Sequence, residues 1–199
     1  MPKDIYFCID IEASGLVPAL YNMVSLGAVP VTHSGGADGS WQASADELYV
    51  ELKPIAPGFD PQAMAIHGIS REHLESKGVP AEEGMKRLDE FVARHRKRGR
   101  AVFVGHNAVF DWSFIAYYFE LYKIPNPFGY KGLDTKALAM GRLGISWFET
   151  SKENLKVLLP SLPPEDKARL HRADYDARYQ AEILCALLNR PAPRLAGVE

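Results

Sequence analysis

Hydrophobic and polar residues follow two periods along the chain, one typical of strands and one of helices. Apolar, aromatic and β-branched runs over 5–12, 23–31, 47–53 and 101–104 predict four strands, each bounded by glycine, proline or polar turn residues. Short connections between the first three strands indicate an antiparallel meander. A short segment at 132–134 predicts a fifth strand before a helix.

Helical patterns dominate the later part of the chain. They predict helices over 80–97, 108–122, 135–142, 153–159, 164–170 and 173–188, together with helix starts at Asp60–Pro61 and at Ser70. A meander followed by alternating strands and helices predicts an α/β fold with a mixed sheet between helices. At 199 residues the chain fits one domain, which we expect over residues 1–190 before a short tail at 191–199.

Composition narrows the class of protein. Hydrophobic residues make up 47% of the chain, charged residues 24%, and the net charge is -2, as in an ordinary globular protein. No apolar run reaches membrane-spanning length and no signal-peptide pattern opens the chain, so we expect no membrane association and a cytoplasmic location. Cys8 and Cys185 lie in apolar segments and are expected in the core rather than in a disulfide.

Two acidic residues stand in the first predicted strand, where burial should penalise them. Side chains alternate across a strand, so Asp10 and Glu12 leave by the same face, about 7 Å apart along the backbone. Such carboxylates repel one another and resist loss of water unless a cation lies between them. A bound divalent metal would resolve this repulsion, but a lone Asp-x-Glu is common, and on this stretch alone an acid that caps the strand and points to water is the more frequent case.

Two later stretches carry similar chemistry. Asp111 follows a strand and a glycine turn and falls in the first turn of a helix. The helix dipole stabilises an acid at such a position, which is an alternative explanation for this residue. His171 precedes Asp176 by five residues, and both reach one site only if His171 lies on the loop and Asp176 on the first helical turn, with Asp174 as the N-cap. A lone surface histidine is the alternative.

Together the three motifs resemble those of the DnaQ-like 3′-to-5′ exonucleases of the DEDDh branch. Asp-x-Glu on the first strand, His-Asn-x-x-Phe-Asp from His106 to Asp111, and His with Asp five residues later match in order and spacing over 5–188. The segments at 65–70 and 133–135 are also similar to stretches of that family.

The resemblance implies a ribonuclease-H-like fold with a five-stranded mixed sheet and two Mg²⁺ or Mn²⁺ ions. The expected metal ligands are four carboxylates: Asp10, Glu12, Asp111 and Asp176. A cluster of oxygen ligands without a thiolate also suits these hard cations better than zinc. Two such ions promote in-line displacement at a phosphodiester. His171 would be the general base, a task for which imidazole is suited.

The same resemblance predicts a 3′ end of single-stranded DNA or RNA as the substrate. The expected substrate contacts lie after the first motif and around the second: Ala13, Ser14, Gly15, Leu16, His67, His106, Asn107 and Phe110. Leu16 would act as an apolar wedge and Ser14 would meet the sugar, although the family often has threonines here. Phe110 suits base stacking and core packing about equally.

Other hypotheses stay open on the sequence alone. The basic run at 94–100 either holds phosphates of the upstream strand or is a solvated helix end. A homodimer in which this run serves the neighbouring active site is also possible. The alternatives to an exonuclease are a noncatalytic nucleic-acid-binding or polymerase-associated module, and a metal-dependent phosphatase or endonuclease on the same fold.

Overall fold

A mixed sheet forms the centre of the molecule. The computed structural model describes residues 4–36 and 38–191. In them the sheet has six strands: β1 (Asp4–Ala13), β2 (Met23–His33), β3 (Trp41–Ala43), β4 (Leu48–Glu51), β5 (Arg100–Gly105) and β6 (Gly132–Asp134). The predicted α/β fold is therefore confirmed.

The strand order places β1 at the centre. It pairs antiparallel with β2 on one side and parallel with β5 on the other, and β6 continues the sheet in parallel. Both β3 and β4 pair with β2, at different parts of its length. The sheet has one strand more than predicted because two short strands share this edge. The short strand β3 follows a turn-rich stretch, and its three residues carry too short an alternation to mark a strand.

Helices lie on both faces of the sheet. Their bounds are α1 (Pro61–His67), α2 (Arg71–Lys77), α3 (Ala81–Arg96), α4 (Val109–Leu121), α5 (Thr135–Leu143), α6 (Lys152–Leu158) and α7 (Ala173–Leu188), with a 3₁₀ turn at Trp147–Glu149. Asp60 and Ser70 cap α1 and α2 as expected. None of the helices in the described ranges is long and apolar enough to span a membrane.

Alternation along β1 divides its side chains between the two faces. Phe7, Ile9 and Ile11 join the core cluster formed with α3 and α4, whereas Cys8 packs in a second cluster against α7. Asp10 follows Cys8 by two residues and therefore points to the α7 side, as Glu12 does. The two acids of β1 accordingly lie between the sheet and the start of α7.

Gly27 allows α7 to begin directly on the sheet. It pairs with Asp10 across the β1–β2 ladder. A Cβ atom at this position would lie 2.1 Å from the carbonyl oxygen of Ala173, which is backbone and cannot move aside as a flexible side chain could. The missing side chain thus brings the first turn of α7 next to Asp10.

Some local predictions were wrong. Residues 164–170 form turns rather than a helix, with Asp166 held by a hydrogen bond from its N–H to the Tyr175 hydroxyl. Arg172 is the N-cap of α7, so Asp174 is its second helical residue; the buried Asp174 carboxylate pairs with Arg172 instead. Of the predicted tail at 191–199, all but Pro191 lies outside the described residues.

Candidate active site

Four carboxylates from three separate segments meet in one cavity of about 310 Å³. Asp10 and Glu12 come from the end of β1, Asp111 from the first turn of α4, and Asp176 from the first turn of α7. Glu12, Asp111 and Asp176 are each at least nine-tenths buried. The structure therefore brings together all four acids that the sequence predicted as metal ligands.

Backbone contacts hold Asp111 against the sheet. Its Oδ1 accepts a hydrogen bond from the N–H of Ile11 at 3.0 Å, which places it between Asp10 and Glu12 along β1. The turn before α4 is held by Asp134, whose carboxylate accepts hydrogen bonds from the N–H groups of Asn107 and Ala108 at 3.2 and 3.0 Å. The segment at 133–135, which is similar to a stretch of the family, thus supports the backbone of the second motif.

His171 and Asp176 are coupled through the backbone. His171 is in a left-handed conformation with φ of 60°, and its N–H donates to Asp176 Oδ2 at 2.8 Å. One ligand atom each from Glu12, His171 and Asp176 lies within 4.8 Å of the other two. The His171 side chain is exposed, in keeping with its predicted place on the loop at the edge of the cavity.

The acids are held in an environment that opposes their charge. Burial and the neighbouring Asp111 raise the pKa of Asp10 well above its usual range. Burial and Asp176 raise the pKa of Glu12 to about 8, and burial raises that of Asp111 to about 7. Carboxyls clustered in this way are stabilised as anions by a bound cation. The oxygen-rich donor set fits Mg²⁺ or Mn²⁺.

Two polar residues that sequence reasoning missed also enter the cluster. Lys152, the first residue of α6, forms an ion pair with Asp176 Oδ1, and Gln180 Nε2 donates to Asp10 Oδ1 at 2.5 Å. Lys152 carried a usable signal, because a lysine in the first turn of a helix opposes the helix dipole. Gln180 lies one helical turn after Asp176, and nothing in its local pattern marked it.

The histidines predicted to bind substrate occupy different places. His106 lines the cavity and is hydrogen-bonded to Thr135 at 2.9 Å, and burial together with Lys152 and Lys136 lowers its pKa to about 4. His67 ends α1, outside the cavity lining, and burial lowers its pKa. Its Nδ1 accepts from the N–H of Ile69, and its buried Nε2 has no hydrogen-bond partner within residues 4–36 and 38–191.

The loop after β1 departs from one prediction. Ser14 is completely buried, and its hydroxyl donates to the Gly58 carbonyl and accepts from Asn22, so the expected sugar contact is not supported. Ala13 and Gly15 are also buried, whereas 77% of Leu16 is exposed, as a wedge requires. The exposed Leu16 follows Glu12, which lines the cavity, by four residues.

The second motif supplies two further residues to the cavity. Phe110 and Asn107 both line it. Phe110 is half-buried and packs edge-on against Phe114, with ring centroids 5.5 Å apart. Its ring therefore contributes to the core and also presents a surface to the cavity.

Comparison with known proteins gives the family. A family model described as "Exonuclease" matches residues 7–184. The chain belongs to the exonuclease family. Among curated relatives, the 3′-5′ DNA exonuclease Cap18 of Escherichia coli is 38% identical over 183 residues, which cover 91% of this chain and 90% of Cap18. Ribonuclease T of Baumannia cicadellinicola subsp. Homalodisca coagulata is 30% identical, with 92% and 82% of the two chains covered.

Solved structures show the same fold. The nuclease domain of 3′hExo, described as a DEDDh family member bound to rAMP, superposes with a TM-score of 0.70 at 14% identity and covers 94% of this chain and 92% of that one. Exonuclease I gives a TM-score of 0.71 at 18% identity, and the match covers 94% of this chain but only 41% of exonuclease I. The predicted ribonuclease-H-like fold is confirmed.

Membership of this exonuclease family also decides between the enzyme classes considered above. The prediction of a metal-dependent 3′-to-5′ exonuclease, a phosphodiester hydrolase, is confirmed. The noncatalytic module and the phosphatase are not favoured.

Proposed function

We propose that this exonuclease releases nucleoside monophosphates one at a time from the 3′ end of single-stranded DNA, with two Mg²⁺ or Mn²⁺ ions. The observation that carries the proposal is the meeting of Asp10, Glu12, Asp111 and Asp176 in one cavity with His171 at its edge. We propose that one domain, over residues 1–190, contains all of this machinery.

The metal ligands are proposed to be the four carboxylates. Their burial and the raised pKa values of Asp10, Glu12 and Asp111 give these oxygens a strong tendency to hold a cation. When bound, two divalent ions supply Lewis-acid stabilisation of the attacking and leaving oxygens of a phosphodiester. Gln180 and Ile11 support this role, because their N–H groups orient Asp10 and Asp111 respectively.

His171 is proposed as the general base. Its ring nitrogen lies within 4.8 Å of carboxylate oxygens of Glu12 and Asp176, so a water between these groups is within reach of the imidazole. The left-handed backbone and the hydrogen bond from its N–H to Asp176 fix where the ring leaves the loop. Exposure of the ring allows the accepted proton to pass to solvent.

The 3′-terminal nucleotide is proposed to lie between the loop after β1 and the second motif. Leu16 is exposed four residues after Glu12, while Phe110, His106 and Asn107 line the cavity. An aromatic face and an apolar wedge bind a base without strong sequence preference. The backbone of Ala13 and Gly15 and the imidazole of His67 are proposed to complete the contact from the α1 side.

DNA is proposed as the preferred strand on two grounds. The relative at 38% identity is named a 3′-5′ DNA exonuclease. In addition, the hydroxyl of Ser14 is fully used inside the protein and is not free to recognise a 2′-hydroxyl, the group that distinguishes RNA.

A homodimer is proposed only because it would allow the basic run, residues 94–100, to contact a nucleic-acid strand. Arg100 pairs with Asp4 at the start of β1, six residues before Asp10, which is about 20 Å along a strand. From that position the run cannot contact a nucleotide held at its own carboxylates. It could instead contact the upstream part of a longer strand or a strand held by a second copy.

The cytoplasm is the proposed location. Cys8 and Cys185 are both unpaired and buried, as expected of thiols in a reducing compartment.

A time course on 5′-labelled single strands tests the proposal. DNA and RNA of equal sequence would be incubated with Mg²⁺, Mn²⁺ or EDTA, with Asp10→Asn as the control. A metal-dependent ladder that shortens from the 3′ end, faster on DNA, is expected. Faster shortening of RNA would reverse the substrate choice. Internal cuts, or hydrolysis of small phosphate esters alone, would indicate an endonuclease or a phosphatase.

A further inference from the structure

A lysine ammonium lies inside the carboxylate cluster. Lys152 Nζ forms an ion pair with Asp176 Oδ1, and only 21% of the Lys152 side chain is exposed. It is the one lysine or arginine that lines this cavity in the described part of the chain. Its charge also favours the anionic forms of Asp10, Glu12 and Asp111.

The local structure gives no other reason for a lysine here. Lys152 is the first residue of α6, after the N-cap Ser151, where the helix dipole disfavours a positive charge. Burial also opposes its charge, but Asp10 and Asp176 outweigh this effect and raise the pKa of Lys152. One helical turn later, Lys156 is more exposed and pairs with Glu165 at 2.7 Å. Of the two lysines, only Lys152 contacts a carboxylate of the proposed metal site.

We propose that Lys152 is an internal counter-cation of the metal site, which holds the carboxylates together before metal binds and must leave Asp176 when a divalent ion arrives. The inference rests on the proposed function, because it takes Asp10, Glu12, Asp111 and Asp176 as the metal ligands. Lys152 is in this role a positioning residue that sets how tightly the ions bind.

Lys152 and a divalent ion would compete for the Asp176 carboxylate, so removal of the lysine should change the metal affinity in a definite direction. An ammonium and a divalent ion close to Asp176 repel each other, so the lysine must move away or weaken the binding of the ion. Removal of the ammonium should therefore tighten metal binding. Loss of a merely structural residue would instead loosen the site. In the metal-free state, removal leaves the buried carboxylates without a counter-charge and should lower stability.

Calorimetric titration with Mn²⁺ would compare the wild-type protein, Lys152→Met and the control Lys86→Met, which removes an ammonium paired with Glu82 on the exposed surface of α3. We expect Lys152→Met to bind Mn²⁺ about tenfold more tightly or better, and to melt at a lower temperature than wild type in EDTA but not in excess Mn²⁺. Lys86→Met should match wild type in Mn²⁺ affinity. Equal or weaker binding by a folded Lys152→Met would overturn the inference.

A measurement on the wild-type protein keeps the test valid if Lys152→Met fails to fold. The ¹⁵N-labelled lysine side-chain spectrum should show one ammonium signal protected from exchange with water in EDTA, which is lost or strongly shifted when Mg²⁺ is added. A Lys152 signal that is unchanged at saturating Mg²⁺ would contradict displacement. Absence of any metal binding by the wild-type protein would instead overturn the proposed function itself.

Discussion

The two ends of β1 carry two different cavities. At the beginning of β1, which we term the basic end, a cavity of about 640 Å³ is bordered by Tyr6, Trp41 and the basic run. At the other end, the carboxylate end, the cavity that holds Asp10 and Glu12 has about half that volume, about 310 Å³. The smaller of these two cavities is therefore the one that holds the clustered acids.

The two ends of β1 differ in whether their charged side chains have partners of opposite charge. At the basic end, His95 is hydrogen-bonded to Asp46 at 2.8 Å and Arg100 pairs with Asp4 at 2.8 Å, in contacts partly open to solvent. At the carboxylate end the acids are buried together, and their pKa values are raised. A region that holds like charges out of water is organised for a ligand that neutralises them, whereas paired surface charges need none.

Removal of one charge at the carboxylate end should have the largest effect. Asp10→Asn keeps the shape of the side chain but weakens its interaction with a cation, so exonuclease activity and Mn²⁺ binding should be lost together. Labelled-strand assays and calorimetry would measure both. Asp46→Asn, the matched change at the basic end, should leave both unchanged. Full activity in Asp10→Asn would show that the charge of Asp10 is not needed for catalysis.

Loss of the base should separate catalysis from metal binding. His171→Ala is expected to lower kcat by about 10²–10⁴-fold, because the proton of the attacking water then has no nearby acceptor. Its affinity for Mn²⁺ should stay close to that of wild type. A parallel loss of metal affinity would instead make His171 a ligand, which its distance from Glu12 and Asp176 also permits.

Gly27→Ala tests how the carboxylate end is assembled. A methyl group at this position meets the backbone of Ala173, so α7 must shift away from β1 and carry Asp176 with it. We expect the free energy of unfolding to fall by about 1–3 kcal/mol and activity to fall as well. Gly141→Ala is the control, because a Cβ there meets nothing within 4 Å. Equal stability of the two variants would contradict the role of Gly27.

The sequence predicted the clustered carboxylates better than their surroundings, for physical reasons. Asp10, Glu12, Asp111 and Asp176 stand next to strand ends or helix starts, so local pattern and family resemblance located them. The burial of Ser14 depends on Asn22 and Gly58, which only the folded loop brings to it. Lys152 reaches Asp176 from 24 residues away, a contact that no local period reports.

The helix predictions show the same contrast between local pattern and contacts made only in the folded chain. Long periodic segments such as α3 and α7 were predicted closely, but residues 164–170 contain Pro164 and a composition that suits a helix without forming one. Asp174 also resembles an N-cap in sequence. In the structure α7 begins at Ala173, so Asp174 is the second residue of the helix and pairs with Arg172.

The metal-free protein should lose stability as the pH rises. Glu12 and Asp111 have pKa values of about 8 and about 7 when folded, above the values of about 4 expected when unfolded. The folded state therefore binds more protons between these limits, and stability falls from about pH 5 to pH 8. Thermal melts in EDTA would show this decrease, and saturating Mg²⁺ should reduce it. A rise in stability with pH in EDTA would contradict the account.

Charge reversal at the basic end should have the smallest effect. Arg96→Glu with Arg98→Glu leaves the carboxylate end untouched, so kcat on a dinucleotide should not change. KM for long strands should rise if the run contacts phosphates upstream. An unchanged KM for long strands would make the run a solvated helix end. A lower kcat on the dinucleotide would show that the two ends are coupled.

Anomalous diffraction from crystals grown with Mn²⁺ and a nucleoside 5′-monophosphate would show directly whether the four carboxylates bind two divalent ions. We expect two manganese peaks within coordination distance of Asp10, Glu12, Asp111 and Asp176, with Lys152 withdrawn from Asp176. Peaks confined to the cavity at the basic end, or manganese held away from the four carboxylates, would contradict it.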